Sequence, residues 1–191
     1  MIIKNLLPKW INFLEKLDNY LVKYLAYSNY KKYSNCLEFK ENEKVLEVGC
    51  GIGNLSRFLI QEISSGKLTC IDVSKYSINK NKRSLKKFKN IEFVVEDILR
   101  FKRENYFDIA VVHYILHDIP QKEKVIEVLR NCLKENGRIY LREPTRKNHG
   151  ISSKEIKKLM GEGGFSKIKS KEDYSFPLKG RVFEGVFIKS T

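Results

Sequence analysis

The chain has 191 residues, 42% of them hydrophobic and 31% charged, and a formal net charge of +14. That length and apolar content suit one domain with a real core, and exclude a disordered chain; no window approaches the roughly 18 uninterrupted apolar residues of a transmembrane helix. The start carries neither a signal-peptide core nor a small-residue cleavage site, and Cys36, Cys50, Cys70 and Cys132 show no C-x-x-C spacing, so reduced thiols in a cytoplasmic setting are expected, without a zinc ribbon or disulfide framework. The charge has two readings: a nucleic-acid or anionic-membrane partner, or a lysine-rich composition of the kind that AT-rich coding produces.

Residues 9–30 have helical amphipathic spacing through Trp10, Phe13, Leu14, Leu17, Leu21, Tyr24 and Leu25, and Tyr20, Tyr27, Tyr30 and Tyr33 crowd the later half. Three readings stand for this helix: packing on the core, a lid over a ligand, or contact with a membrane surface through Lys4, Lys9, Lys16 and Lys23. Val45, Leu46 and Val48 then form a short buried strand interrupted by Glu47, followed by Gly49, Gly51 and Gly53 and a helix beginning near Gly53. Glycines there let the backbone turn sharply and pass close beneath a ligand, and the helix start offers unpaired N–H groups. This is a nucleotide-type cradle. It is not the dinucleotide fingerprint G-x-G-x-x-G, because Asn54 stands where the third glycine belongs.

A second strand, 67–72, ends in Asp72, where a ribose diol would be hydrogen-bonded. The run from Lys75 to Lys89, read as a basic helix, has seven basic residues and no acid. Ile78, Leu85 and Phe88 can form its buried stripe, which leaves the lysines either as a solvated face or as a docking patch. A third strand, 91–96, leads into Asp97 and Ile98, and a fourth spans 107–112. Helix 121–134 and a fifth strand, 138–142, follow. Ser152 and Ser153 can cap a helix over 153–161, with Glu155 in its first turn. Two late strands, about 166–173 and 181–189, joined through Pro177 and Gly180, are expected to be antiparallel neighbours. Alternating strand and helix predicts an α/β fold with a parallel sheet.

The ordered set Glu47-x-Gly49-x-Gly51-x-Gly53, Asp72 and Asp97-Ile98 resembles the class I S-adenosylmethionine-dependent methyltransferases over about residues 40–145. The resemblance implies a three-layer sandwich with a seven-stranded, mostly parallel sheet of order 3-2-1-4-5-7-6, its last strand antiparallel. It implies a Rossmann-like methyltransferase domain over 37–191 behind an N-terminal helical lid over 1–36. It also implies S-adenosylmethionine as cofactor, S-adenosylhomocysteine as product, and in-line displacement onto the acceptor. By the same resemblance, Glu47, Gly49, Cys50, Gly51, Gly53, Asn54, Asp72, Val73, Asp97, Ile98 and His113 form the cofactor site, with Asp97 on the adenine amino group and Ile98 on the ring.

His113, His117 and His149 all fall at the carboxyl ends of the predicted strands, where ligands of open α/β sheets bind. Their spacing matches no familiar metal motif. His117 is the first candidate for a general base, His149 the second. The segment around Leu116 and His117 resembles the small-molecule branch, with Asp118 departing from its second histidine. It lacks the N/D-P-P-Y/F/W and Pro-Cys signatures of nucleic-acid enzymes. A small-molecule acceptor is therefore expected, mainly apolar or aromatic given the aromatic density of residues 20–33. The alternatives are an RNA or protein methyltransferase docking through Lys75–Lys89 and a non-catalytic cofactor-binding partner subunit.

Overall fold

The computed structural model describes residues 38–146, 149–175 and 180–190. These belong to the compact unit Leu37–Thr191; the helical lid expected over 1–36 and most of the connection before Gly180 lie outside the described residues. The strands are β1 (Lys44–Val48), β2 (Lys67–Asp72), β3 (Ile91–Val95), β4 (Phe107–His113), β5 (Leu133–Arg146), β6 (His149–Gly150), β7 (Phe165–Ser175) and β8 (Gly180–Lys189). The helices are α1 (Asn54–Glu62), α2 (Lys75–Ser84), α3 (Lys122–Cys132) and α4 (Ser153–Glu162), with one 3-10 turn at Leu116–Asp118. Among the described residues, no helix is long and apolar enough to cross a membrane.

The sheet path is β3-β2-β1-β4-β5-β8-β7, with the short β6 paired to β5 beside it. Counted over the seven long strands this is the expected order 3-2-1-4-5-7-6. All pairings from β3 to β5 are parallel, and β8 runs antiparallel to both its neighbours. The strand order reverses between β1 and β4 at the centre of the sheet, and in such sheets ligands bind in the crevice outside the carboxyl ends of the strands at that point.

Strand alternation divides the core between two faces. Leu46 and Val48 join Ala110, Val112, Ile139, Leu141, Phe183 and Phe187 in one buried cluster with Val125, Ile126 and Leu129 of α3 and Ile156 and Met160 of α4. Glu47 points the opposite way, where its carboxylate meets Ser56 of α1. The helices therefore cover both faces, which makes the three layers. α4 starts where expected, with the Ser152 hydroxyl accepting the Glu155 N–H at 3.1 Å. α2 is likewise capped, by Ser74 accepting from Ser77 at 3.2 Å.

Three boundaries differ from the sequence reading. α2 ends at Ser84 rather than continuing to Lys89, because Leu85 leaves helical geometry and buries itself while Phe88 closes a turn back to its carbonyl at 3.0 Å. α3 stops at Cys132 because Leu133 already pairs with Phe107 of β4. β5 consequently runs fourteen residues, Leu133–Arg146, and its end folds back onto β6, a pairing that local pattern did not signal.

Candidate cofactor cleft

Gly49, Gly51 and Gly53 all take positive φ, at 67°, 52° and 91°. This backbone carries the chain from β1 into α1 in five residues. Gly49 and Cys50 both donate to the Ile71 carbonyl of β2, at 2.9 and 3.1 Å. Gly51 donates to Asp72 Oδ2 at 2.8 Å, and Ser74 donates to Asp72 Oδ1 at 2.8 Å. The Asp72 carboxylate is thus held from two sides. Each oxygen takes one N–H and keeps acceptor capacity for a further donor. A side chain at Gly49 has no room, since a Cβ there would come within 2.6 Å of Ile115 Cγ1.

Beside this loop lies a cleft of about 320 Å³ lined by Val48, Gly49, Ile71, Asp72, Val73, Glu96, Asp97, Ile98, Leu99, Ile115, Asp118, Ile119 and Pro120. Its floor and walls are apolar, through Val48, Ile71, Ile98, Leu99, Ile115 and Ile119. The Asp97 carboxylate is oriented by the Leu99 N–H at 3.0 Å. Asp72, Glu96, Asp97 and Asp118 place four carboxylates on the lining, which has no lysine, arginine or histidine among the described residues. On a chain of net charge +14, this is a locally acidic site. It suits a ligand rich in hydroxyl and amine donors or carrying positive charge, and it repels phosphates.

The structure brings Gly49, Asp72, Val73, Asp97 and Ile98 onto one cleft, with Gly51 bonded directly to Asp72. Val73 is 71% exposed at the rim, and Asn54 is exposed at the start of α1. Cys50 and Gly53 are buried within the loop. Glu47 lies beneath it, 2% exposed, accepting from the Ser56 hydroxyl at 2.6 Å and the Cys70 thiol at 3.4 Å, while Asn81 Nδ2 donates to Ser56 at 2.9 Å. Burial drives the Glu47 carboxyl up to about 7, against the opposing pull of the Ser56 and Cys70 hydrogen bonds. His113, at the end of β4, packs edge-on against Tyr114 with centroids 4.4 Å apart.

Glu143 of β5 carries contacts that sequence reading missed. It holds His117 Nδ1 at 2.6 Å and accepts the N–H groups of Ile115, Leu116 and His117. His117 is thereby drawn toward the sheet, its side chain 7% exposed, with Nε2 3.5 Å from Asp118. His149 sits in β6, where its backbone pairs with Arg146. A second group missed from sequence is the buried Arg142–Glu184 ion pair between the paired strands β5 and β8, extended by Arg142 Nε donating to Tyr114 Oη at 3.1 Å. The only local signal for either was an acid or base inside an otherwise apolar strand.

Residues 39–177 match the family model described as a methyltransferase domain. The chain belongs to that family. Malonyl-[acyl-carrier protein] O-methyltransferase 1 of Ilyobacter polytropus is 26% identical over 100 residues, which is 52% of this chain and 37% of that protein. A putative methyltransferase, 235L, of Invertebrate iridescent virus 6 is also covered over only 42% of its length, so the chain spans less than half of such relatives. Among solved structures, the N-methyltransferase NodS from Bradyrhizobium japonicum in complex with S-adenosyl-L-homocysteine superposes with a TM-score of 0.70 at 20% identity, covering 78% of this chain and 79% of that one. A Burkholderia thailandensis 1,6-didemethyltoxoflavin-N1-methyltransferase superposes with a TM-score of 0.76 at 13% identity, covering 96% and 87%. At such identities these likenesses establish the class I methyltransferase fold.

Proposed function

We propose that this chain transfers the methyl group of S-adenosylmethionine to a small-molecule acceptor. The observation that carries the reading is the acidic, phosphate-repelling cleft at the glycine loop, with Asp72 held ready by the Gly51 and Ser74 amides. A dinucleotide or a nucleoside triphosphate brings several negative charges to four carboxylates. S-adenosylmethionine carries no phosphate and has a cationic sulfonium, two ribose hydroxyls and an adenine amine. The family membership and the small-molecule enzymes among the relatives support the same reading.

Asp72 would hold the ribose hydroxyls. Asp97 would accept from the adenine amine, and Ile98, Leu99 and Ile119 would enclose the ring. When bound, S-adenosylmethionine supplies an electrophilic methyl for in-line attack. The chain's own contribution is to fix the geometry and exclude water, and orientation of this kind lowers barriers by as much as about 7–11 kcal/mol. His149 remains the candidate base for an acceptor that must lose a proton, and His117 could serve only through Nε2, since Glu143 takes Nδ1. Docking of RNA or protein through Lys75–Lys89 has less support: the run is not one continuous helix, and Ile78 and Leu85 are its buried side, with the basic residues left in solvent.

Calorimetry with S-adenosylmethionine and S-adenosylhomocysteine, against NAD and ATP as controls, tests the reading. Binding of the first two and not the others is expected; a folded sample that binds neither overturns it. Asp72→Asn gives a finer check. The amide cannot accept from both Gly51 and Ser74, and one of its faces must meet a donor with a donor. S-adenosylhomocysteine affinity should fall by about 1–3 kcal/mol. Wild-type affinity in this variant would remove Asp72 from the ligand.

A further inference from the structure

The segment between β4 and α3 builds one wall of the cleft yet has little regular structure to hold it. It contributes Ile115, Asp118, Ile119 and Pro120 to the lining. Its first residue, Tyr114, takes a positive φ of 57° without being glycine, a conformation that persists only where surroundings enforce it. Ile115 lies so close to Gly49 that it occupies the space a Cβ there would need. The position of this segment therefore decides both the width of the cleft and the fit of the glycine loop.

Beside the Arg142 bond to Tyr114 Oη, the Glu143 side chain of β5 reaches three consecutive residues of it. Glu143 is 0% exposed. Its Oε1 accepts from Ile115 and Leu116, both at 2.9 Å, and its Oε2 accepts from the His117 N–H at 3.3 Å and meets His117 Nδ1 at 2.6 Å. With three backbone N–H groups already donating to this carboxyl group, the fourth contact is read as His117 Nδ1–H donating to Oε2. Four donors from three consecutive residues converge on one carboxylate. A buried carboxylate is costly in an apolar core unless it is hydrogen-bonded, and a hydrocarbon of similar size would fill the same space on β5. What a hydrocarbon could not do is hold that wall.

We propose that Glu143, acting with His117, is a positioning residue for the cofactor: it clamps the 114–120 wall against the glycine loop and thereby sets cofactor affinity. This rests on the methyltransferase reading of the cleft. Neither residue is on the lining of the cleft. His117 acts through the wall it belongs to, with its Nδ1 proton committed to Glu143.

The test uses the full chain with Glu143→Gln, which keeps the size of the side chain but replaces one acceptor by a donor, and His117→Ala, which removes one of the four bonds. Residue-resolved amide exchange and S-adenosylhomocysteine calorimetry are read together. Glu143→Gln should speed exchange at Ile115, Leu116 and His117 by about tenfold or more, leave β1 and β2 amides protected, and weaken S-adenosylhomocysteine binding about tenfold. His117→Ala should move the same amides and the same affinity in the same direction by a smaller factor. If the variants instead lower protection throughout the sheet while their folded fraction binds with wild-type affinity, Glu143 serves folding alone and the proposal fails. If Glu143→Gln does not fold, His117→Ala decides by the same two readings. Wild-type protein that binds no S-adenosylhomocysteine would overturn the methyltransferase reading, and unchanged exchange at the three amides would overturn the clamp whatever the ligand.

Discussion

Gly51→Val should abolish measurable binding of S-adenosylhomocysteine while the protein still folds. A Cβ on Gly51 meets no atom of the described residues within 4 Å, so the added side chain projects from the loop toward where the proposed ligand would approach the backbone. The valine also adopts φ 52°, which costs about 1–2 kcal/mol in an L-residue. A domain of ordinary stability, about 5–15 kcal/mol, survives that loss. Gly51→Asn separates the two effects, because asparagine tolerates left-handed backbone and still projects a side chain. Both variants should lose at least about a hundredfold in affinity, close to 3 kcal/mol, with valine alone showing the added loss of stability. Calorimetry and urea unfolding measure the two quantities. Affinity within a few-fold of wild type in either variant would mean that the ligand does not pass over this loop.

The second large effect is a pH dependence of stability located at Glu47. Its carboxyl is raised from about 4.5 to about 7, chiefly by burial. The folded state therefore holds this proton where the unfolded state has released it. Between pH 4.5 and 7 the native state binds more protons, so stability falls as pH rises, and the full penalty is present above pH 7. A shift of this size corresponds to about 3 kcal/mol. Glu47→Gln keeps an oxygen acceptor for Ser56 and Cys70 and carries no titrating proton. Its stability relative to wild type should rise by about 2–3 kcal/mol between pH 5 and pH 8. Urea unfolding of both proteins at the two values gives this difference, in which the contributions of other titrating groups cancel. Parallel pH profiles would place the origin of any pH dependence elsewhere.

Glu47 and Glu143 show where local reading stops. Each is an acid inside an apolar strand. In sequence such a residue looks the same whether it faces a ligand, caps a loop or ties two helices beneath one. Strand alternation does say that Glu47 faces away from Leu46 and Val48. It does not say that Ser56 waits there, nor that Asn81 completes the chain from α2. For Glu143 the partners lie 26 to 28 residues earlier, at the end of the neighbouring strand. His117 was legible as a residue at the carboxyl end of β4, yet its orientation toward Glu143 depends on the register of β4 with β5.

What the sequence by itself determined was the succession of strands and helices, the glycine loop and the acid at the end of β2. These depend on short-range physics. A strand covered on both faces needs an unbroken apolar run, a backbone at positive φ needs glycine at little cost, and a serine before α2 or α4 can satisfy the first amides of its helix. Tertiary structure alone decided the length of β5, the β6 pairing, the acidity of the cleft and the clamp on its wall. The β6 pairing is a short fold-back of backbone between Thr145–Arg146 and His149–Gly150; the others arise when segments distant in sequence are brought side by side. Leu133 continues as strand because Phe107 lies alongside it, and Asp72, Asp97 and Asp118 make one acidic surface only because β2, β3 and β4 end together at one side of the sheet.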